Sequence, residues 1–274
     1  MKLDMGRAWN DALLLLRGNQ QVVLIVAGVF FFLPNLALLL LMSDTMGAIE
    51  ARLAGETDPG AMFEMVGTLY GEIWWQVLIV SLLSAVGMLG LLALLTDHKR
   101  PTVGEALKAG VTYLLPYIGA VIVTGFIVGL IVLLALVVAS AAGAAAGALM
   151  GIVALVALLY VYTKLSLMVP VIVIEEVMNP IRALGRSWSL TKGNSVRLFL
   201  FYVLIFVVFF VVMMVLGIVG SVLGLIAGED ANLIVSSLIS AAANMIGITL
   251  YLAVLAAVHR QLSGGAKEVG ATFE

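Results

Sequence analysis

Residues 111–163 contain no charged side chain, and this uncharged stretch limits what the chain can fold into more than any other feature. A run of about 18 or more apolar residues is long enough to form a membrane helix. Across the chain 63% of residues are hydrophobic and 11% are charged, whereas soluble domains carry about 25% charged residues. The apolar residues form continuous runs rather than alternating, which excludes a transmembrane barrel. The sequence therefore predicts an α-helical integral membrane protein.

Six runs are long enough to cross about 30 Å of hydrocarbon, and in lipid each must be a helix because its backbone has to satisfy its own hydrogen bonds. The predicted spans lie near 21–42, 74–96, 112–138, 147–169, 198–221 and 233–257. We therefore predict an all-α, polytopic membrane helix bundle with six transmembrane helices. Residues 1–274 are expected to form a single transmembrane domain.

Lys and Arg residues predict the orientation, because basic residues accumulate in cytoplasmic segments. With the N-terminus inside, twelve of the fourteen basic residues fall on the cytoplasmic side. They are Lys2, Arg7, Arg17, Lys99, Arg100, Lys108, Arg182, Arg186, Lys192, Arg197, Arg260 and Lys267. Both termini are therefore expected in the cytoplasm.

A short cytoplasmic helix is expected ahead of each pair of spans. The first lies near 4–17, the second begins with Thr102 and Glu105 at capping-box spacing, and the third begins at Asn179-Pro180 and ends with Lys192 before Gly193. Three units result, each a surface helix followed by a hairpin, roughly 3–96, 101–170 and 178–260. Such parallel repeats are arranged about an axis along the membrane normal. The alternative is that any cytoplasmic linker carries Arg, Trp and Gly, and both interpretations fit.

Small residues four apart predict close helix packing. Gly125 and Gly129 form one such pair, and two further series follow the same spacing: Gly143, Gly147 and Gly151, then Gly220, Gly224 and Gly228. Packing within one bundle is favoured over a dimer face. Pro34 and Pro116 are expected to kink their helices.

Little in the sequence points to catalysis. The absence of cysteine excludes disulfides, thiol catalysis and thiolate metal sites. The two histidines, His98 and His259, lie beside basic residues without the spacing of a metal site or a hydrolase motif. We therefore predict no catalytic residue, metal or cofactor, and a protein that is not an enzyme.

Polar residues inside the spans are candidates for function. Lys164 lies about one turn from the cytoplasmic end of the fourth span, where its expected partners are Glu175, Glu176 or a lipid phosphate. Asn35 and Asn244 lie inside the first and sixth spans. Each asparagine either bridges helices or lines a polar path.

A polar cluster near the third surface helix is the strongest candidate for contact with lipid. It consists of Glu175, Glu176, Arg182, Arg186, Lys192 and Arg197, with Trp188 between the bases of the helix. A basic amphipathic helix at the inner surface suits anionic headgroups. The outer segment 44–73 is acidic, and a solvated loop is favoured there over cation or partner binding.

The same region resembles a known family. Residues 170–175 (PVIVIE), Asn179-Pro180, residues 182–193 (RALGRSWSLTKG) and residues 101–107 (PTVGEAL) resemble the membrane domain associated with glycerophosphoryl diester phosphodiesterases, over about 100–200. The resemblance implies a bacterial inner-membrane protein of about six spans. It does not imply phosphodiesterase activity, because the family name comes from members fused to a separate soluble hydrolase domain, and the spans leave no room for one here. Glu175, Arg186, Ser187 and Trp188 match the family pattern without an established role.

Two functions follow as hypotheses. The first is a non-enzymatic bacterial inner-membrane protein that interacts with lipid or supports the envelope; the alternative is a small-solute transporter or channel. The expected partners are membrane lipids, including anionic ones, with a protein partner or a second copy as further alternatives and no nucleic acid. A lateral apolar groove opening to Arg182 or Arg186 would favour lipid, and a closed polar cavity near Asn35 or Asn244 would favour transport.

Overall fold

The computed structural model describes residues 2–18, 20–43, 58–96, 102–227 and 229–264. The described elements are helices: α1 (Met5–Gly18), α2 (Gln20–Ala27), a π-helical turn (Gly28–Phe32), α3 (Leu33–Leu41), α4 (Pro59–Thr96), α5 (Val103–Leu165), α6 (Met168–Ile174), α7 (Pro180–Leu190), α8 (Ser195–Ala227) and α9 (Glu229–Leu262). No strand occurs in these ranges.

Six helical segments in the described ranges are long and apolar enough to cross a membrane. They are Gln20–Leu41, Gly71–Thr96, Val103–Ala141, Ala145–Ile174, Ser195–Gly220 and Asn232–Leu262. Each contains or closely overlaps one predicted span, so the predicted six-span, all-α fold is confirmed. The third span begins earlier than expected because the helix that starts after Thr102 runs into it without a break.

Gly143 ends the third span and lets the chain turn back. Its φ of 81° and ψ of 176° are non-helical, in a region that residues with a Cβ rarely adopt. A Cβ on Gly147 would lie 3.0 Å from the Cβ of Ala139, whereas residues eight apart in a straight helix are separated by about 12 Å. Helix α5 is therefore a hairpin, with a first arm at 103–141 and a second arm at 145–165.

Two predicted helix starts are confirmed in atomic detail. The Thr102 side chain accepts a hydrogen bond from the amide of Glu105, and the Glu105 side chain returns one to the amide of Thr102, which completes the capping box. The Asn179 side chain accepts a bond from the amide of Arg182 at 3.1 Å, and Pro180 occupies the first turn of α7.

Two details of the predicted surface helices are wrong. Helix α7 ends at Leu190 rather than at Lys192, because the Thr191 hydroxyl bonds to the last carbonyls and a turn at 191–194 follows, with Gly193 at φ 80°. The second surface helix is not separate but forms the start of the first arm of α5. Helices α1 and α7 are separate elements, and the three-unit repeat stays a prediction.

The chain divides into two compact units. Unit one consists of Met1–Gln20, Leu89–Val207 and Leu250–Glu274. Its core holds fully buried leucine and isoleucine side chains from five segments, represented by Leu92, Leu167, Ile172, Leu198 and Leu252. Helices approach closely at Gly90, where a Cβ would lie 2.5 Å from the carbonyl oxygen of Ala106.

Unit two consists of Gln21–Met88 and Val208–Thr249. Gly87 lies directly against the side chain of Phe30, and the Ser84 hydroxyl donates to the Phe30 carbonyl at 3.4 Å. Gly247 faces the ring of Phe209, which would lie 2.7 Å from an added Cβ. Small residues thus allow helices to meet closely inside this unit.

The close helix contacts do not occur at the predicted Gly125–Gly129 pair. No described atom outside their own helix backbone would lie within 4 Å of a Cβ at either residue. Close contacts occur at Gly87, Gly90 and Gly247, outside the predicted glycine series, and at Gly147 within the second series, where an added Cβ would lie 3.0 Å from that of Ala139. Glycines four apart leave one side of a helix without bulky side chains, so that a second helix could pack there. Whether a second helix does lie against that side is visible only in the tertiary structure.

The π-helical turn Gly28–Phe32 lies just before Pro34, where a helix distortion was predicted. The first arm of α5 continues through Pro116.

Of the acidic segment predicted at 44–73, residues 58–73 include the first turns of α4. Residues 44–57 and His98 lie outside the described residues.

Candidate functional site

The predicted site residues separate into two sets. Those expected to contact lipid all lie in unit one, on the end of α5, the turn at 175–179, α7 and the turn at 191–194. They are Lys164, Glu175, Arg182, Arg186, Trp188 and Lys192. Asn35 and Asn244 lie in unit two, where both are half-buried. The contacts below concern the first set.

Glu175 joins three segments of unit one through its two carboxylate oxygens. Arg186 donates from Nε to Oε2 at 2.8 Å and from its terminal nitrogen Nη2 to Oε1 at 3.1 Å, a bidentate pair. The Nε2 atom of His259 lies 3.0 Å from Oε1. We call these three residues the Glu175 clamp, because they fasten the turn before α7 to both α7 and α9.

His259 is the member of the clamp that the sequence did not reveal. It lies 84 residues from Glu175 in the chain and is buried, with 2% of its surface exposed. The residues around His259, at the end of a span beside Arg260, do not indicate that its partner is Glu175. Only the packing of α9 against the turn at 175–179 brings the two side chains together.

The Glu175 clamp keeps its carboxylate ionised. Burial alone would raise the pKa of Glu175, but the hydrogen bonds from Arg186 and His259 lower it further than burial raises it. The bond to Glu175 likewise raises the pKa of the Arg186 guanidinium. Both charges are therefore present at neutral pH and largely neutralise each other.

The clamp should make stability depend on pH in the acidic range. Because its pKa in the folded protein is below the ordinary value of 4.5, ionised Glu175 stabilises the fold above pH 4.5, and this contribution is lost as the pH falls through the lowered pKa. We expect the difference in unfolding temperature between the wild type and Glu175→Gln to be full at neutral pH and to shrink below about pH 4. Thermal unfolding in detergent across a pH series measures it. A difference that stays constant down to strongly acidic pH would contradict an ionised clamp.

Helix α7 is docked onto the end of α5 by two hydroxyls. Ser187 donates to the carbonyl of Lys164 at 2.8 Å, and Thr191 approaches the same oxygen at 3.4 Å. Both hydroxyl residues are fully buried. The carbonyls of a final helical turn have no partner within their helix, so these bonds satisfy one of them and fix the position of α7.

The side chain of Lys164 lies against two aromatic rings. Its Nζ atom is 5.6 Å from the Tyr160 ring centre and 5.4 Å from that of Trp188, and the two rings meet edge to face with centroids 5.6 Å apart. Only 3% of Lys164 is exposed. The expected ion pair with Glu175 does not form, because Arg186 and His259 occupy that carboxylate.

An apolar groove of about 280 Å³ lies beside this cation–aromatic cluster, between the second arm of α5 and the start of α8. It is lined by Val156, Leu159, Tyr160, Thr163, Val196 and Phe199, with Ser195 at its edge. Tyr160 belongs to both the groove and the cluster. The groove is open at the surface, since 49% of Tyr160 and 72% of Val196 are exposed.

Further polar contacts in unit one were not predicted. The Tyr202 hydroxyl donates to Ser166 at 3.1 Å, and the hydroxyls of Tyr162 and Tyr251 lie 2.9 Å apart. The chain start is also fastened to unit one, as the amide of Leu3 donates to the Asn194 side chain at 2.9 Å. The sequence places such tyrosines near an interface but cannot show which hydroxyls meet.

The six membrane-length helices found among the described residues define an α-helical, multi-pass membrane protein. Residues 143–262 match the family model of the membrane domain of glycerophosphoryl diester phosphodiesterase, which confirms the resemblance. The match includes the Glu175 clamp, α7 and the groove. It extends further toward the C-terminus than the resemblance at about 100–200, and residues 101–107 lie outside it. No curated protein and no solved structure matches the chain.

Proposed function

We propose that this chain is a non-enzymatic, lipid-interacting protein of the bacterial inner membrane, with both termini in the cytoplasm. The observation that carries the proposal is the outward face of α7. Ile181 is 71% exposed and Trp188 41% exposed on a helix that also exposes Arg182. Apolar, aromatic and basic side chains together on one exposed face suit the boundary between headgroups and acyl chains.

The position of α7 supports the same proposal. Its other face is buried through Ala183, Leu184, Ser187 and Leu190, so the helix is fixed to unit one and its exposed face is directed outward. Four residues separate the end of α7 at Leu190 from the start of the span Ser195–Gly220. Helix α7 therefore lies at the end of a span, at the depth of an interfacial helix.

The chemistry of the clamp supports a non-enzymatic role. Both carboxylate oxygens of Glu175 accept hydrogen bonds from side chains of the protein itself. A general acid or base needs an atom within reach of a substrate proton.

Native mass spectrometry of the protein released gently from membranes tests the proposal. We expect bound phospholipid, and we expect Arg182→Glu to reduce the retained anionic lipid at least about fivefold, because one basic residue near a membrane surface contributes about 1 kcal/mol and the new carboxylate adds repulsion. Arg182→Lys keeps the charge and should retain lipid. Lys108→Glu makes a similar reversal on an exposed residue of α5 and should have the smaller effect. Wild-type protein that carries and rebinds no phospholipid would contradict the proposal.

Transport remains the alternative function, and variants can separate the two. Asn35 and Asn244 belong to unit two, whereas the lipid candidates belong to unit one. Substitution of both asparagines by leucine should leave lipid retention unchanged. A solute flux in liposomes that these substitutions abolish would favour the transporter instead.

A further inference from the structure

We propose that Lys164, Tyr160 and Trp188 bind the phosphate of an anionic phospholipid, and that the apolar groove beside them holds one of its acyl chains. This inference rests on the proposed function and names the lipid class and its site. The ligand is a glycerophospholipid of net negative charge, such as phosphatidylglycerol.

The first argument is the state of the Lys164 ammonium. The residue as a whole is 97% buried, but Nζ is not among the fully enclosed, unpaired polar atoms of the described residues, so the ammonium still reaches the surface. Within the described part of the chain no carboxylate lies at ion-pair distance from Nζ. An ammonium that is largely withdrawn from water without a counter-charge is costly, because its three donors and its charge lose hydration. The two rings compensate this cost in part, since a cation–π contact contributes about 0.5–2 kcal/mol. A phosphate oxygen would supply the missing acceptor and the counter-charge.

The second argument is the charge around this ammonium. Lys192, exposed in the turn directly after α7, adds a second positive charge four residues after Trp188. The nearby carboxylate of Glu175 is already neutralised by Arg186 and His259. The local field is therefore positive, which attracts a phosphate and repels the ammonium of a zwitterionic headgroup.

The third argument is the order of groups along the second arm of α5. Lys164 lies nearest the helix end, Tyr160 one turn deeper, and Val156 two turns deeper, about 12 Å from Lys164 along the axis. The groove follows the same direction, from Ser195 at the first residue of α8 to Phe199 one turn further. A charged end followed by an apolar channel matches the shape of a lipid, with its headgroup at the interface and its chain in hydrocarbon. A free phosphate has no apolar group that could fill the groove.

The test compares two lipids on two kinds of variant. The purified protein in detergent micelles is titrated with phosphatidylglycerol or phosphatidylcholine, and bound lipid is measured by native mass spectrometry. We expect the wild type to favour phosphatidylglycerol. Lys164→Met, which keeps an apolar stem of similar length, should lower phosphatidylglycerol binding at least fivefold with little change for phosphatidylcholine. Lys164→Arg should retain the preference, and Lys108→Met, the same change on an exposed lysine, should have no effect.

A second variant addresses the groove independently of the charge. Val196→Trp adds a ring at an exposed lining residue, so the core stays intact while the groove is filled. It should weaken both lipids to a similar extent. Thermal unfolding of each variant confirms that it folds. If Lys164→Met does not fold, the single variants Lys164→Arg and Val196→Trp still test the charge and the groove separately.

The outcomes separate the two proposals. Wild-type protein that binds no phospholipid would overturn both the proposed function and this site. Phosphatidylglycerol binding that is unaffected by Lys164→Met and by Val196→Trp would overturn only the site. Displacement of the lipid by inorganic phosphate alone would show an anion site without a lipid occupant, and would also overturn the inference.

Discussion

Replacing Glu175 with alanine should lower the free energy of unfolding by about 2–4 kcal/mol. The substitution removes the bidentate bond to Arg186 and the bond to His259, which lie at 2.8, 3.1 and 3.0 Å. Breaking a buried pair costs about 3–5 kcal/mol. The Arg186 side chain is 44% exposed, so water recovers part of that loss. His259 is buried and would keep an unsatisfied ring nitrogen.

Reversible denaturation in mixed micelles measures this loss. Glu176→Ala is the matched control, because Glu176 is the exposed neighbour of Glu175. A double-mutant cycle with Arg186→Met then separates the Arg186 contribution from that of His259. A Glu175→Ala protein within about 0.5 kcal/mol of the wild type would show that the clamp does not stabilise the fold.

The second large effect is expected at Gly90. In Gly90→Ala the new methyl group would lie 2.5 Å from the carbonyl oxygen of Ala106 and 3.1 Å from its carbonyl carbon. These are backbone atoms, so α4 and α5 must move apart, and overpacking of this kind costs about 1–3 kcal/mol. Alanine gains about 1 kcal/mol of helix propensity, which offsets part of the cost. The net expectation is a loss of up to about 2 kcal/mol, with a lower unfolding temperature.

Gly125→Ala provides the comparison for this experiment. No described atom outside its helix would lie within 4 Å of the new methyl group. The same substitution should therefore be neutral or stabilising by up to about 1 kcal/mol. Equal effects at the two glycines would mean that helix propensity, and not the contact with Ala106, determines the result.

The charge-reversal test at Arg182 also depends on the tertiary structure. Arg182 and Arg186 lie one turn apart on α7 and carry the same charge, so the sequence treats them alike. Arg186 is held by Glu175, whereas the side chain of Arg182 is exposed. Reversing the charge of Arg186 would also break its bond to Glu175, so a loss of bound lipid could not be separated from a loss of stability. Arg182 alone gives a clean measure of the interfacial contribution.

The helical elements were predictable because they depend on local properties of the chain. Continuous apolar runs require helices in lipid, and the six spans follow from their lengths. The start of α7 also follows locally, since Asn179 and Pro180 cap it through contacts within four residues. Its end was misplaced by two residues because Lys192 and Gly193 suit both a last turn and a following turn.

The site was only partly predictable. The sequence singled out Lys164, Glu175 and Trp188 from their residue types and positions, and these residues do lie in one unit. It offered Glu175, Glu176 or a lipid phosphate as partners of Lys164, because opposite charges close in the chain attract. The competing partners, Arg186 and His259, lie 11 and 84 residues from Glu175. Which cation reaches the Glu175 carboxylate depends on how α7 and α9 pack. No local sequence pattern shows which of these distant side chains will lie beside it.

By itself the sequence determined that this chain is a six-span helical membrane protein, because hydrocarbon imposes one solution on each long apolar run. Residues 111–163, uncharged throughout, were enough for two of those spans. Only the tertiary structure decided that Gly143 turns them back on each other, so that the second arm of α5 meets α7 and α8. That packing leaves Lys164 buried between two rings beside an open apolar groove. Contacts between distant segments depend on side-chain fit across the whole unit, which the pattern of hydrophobic and charged residues does not specify.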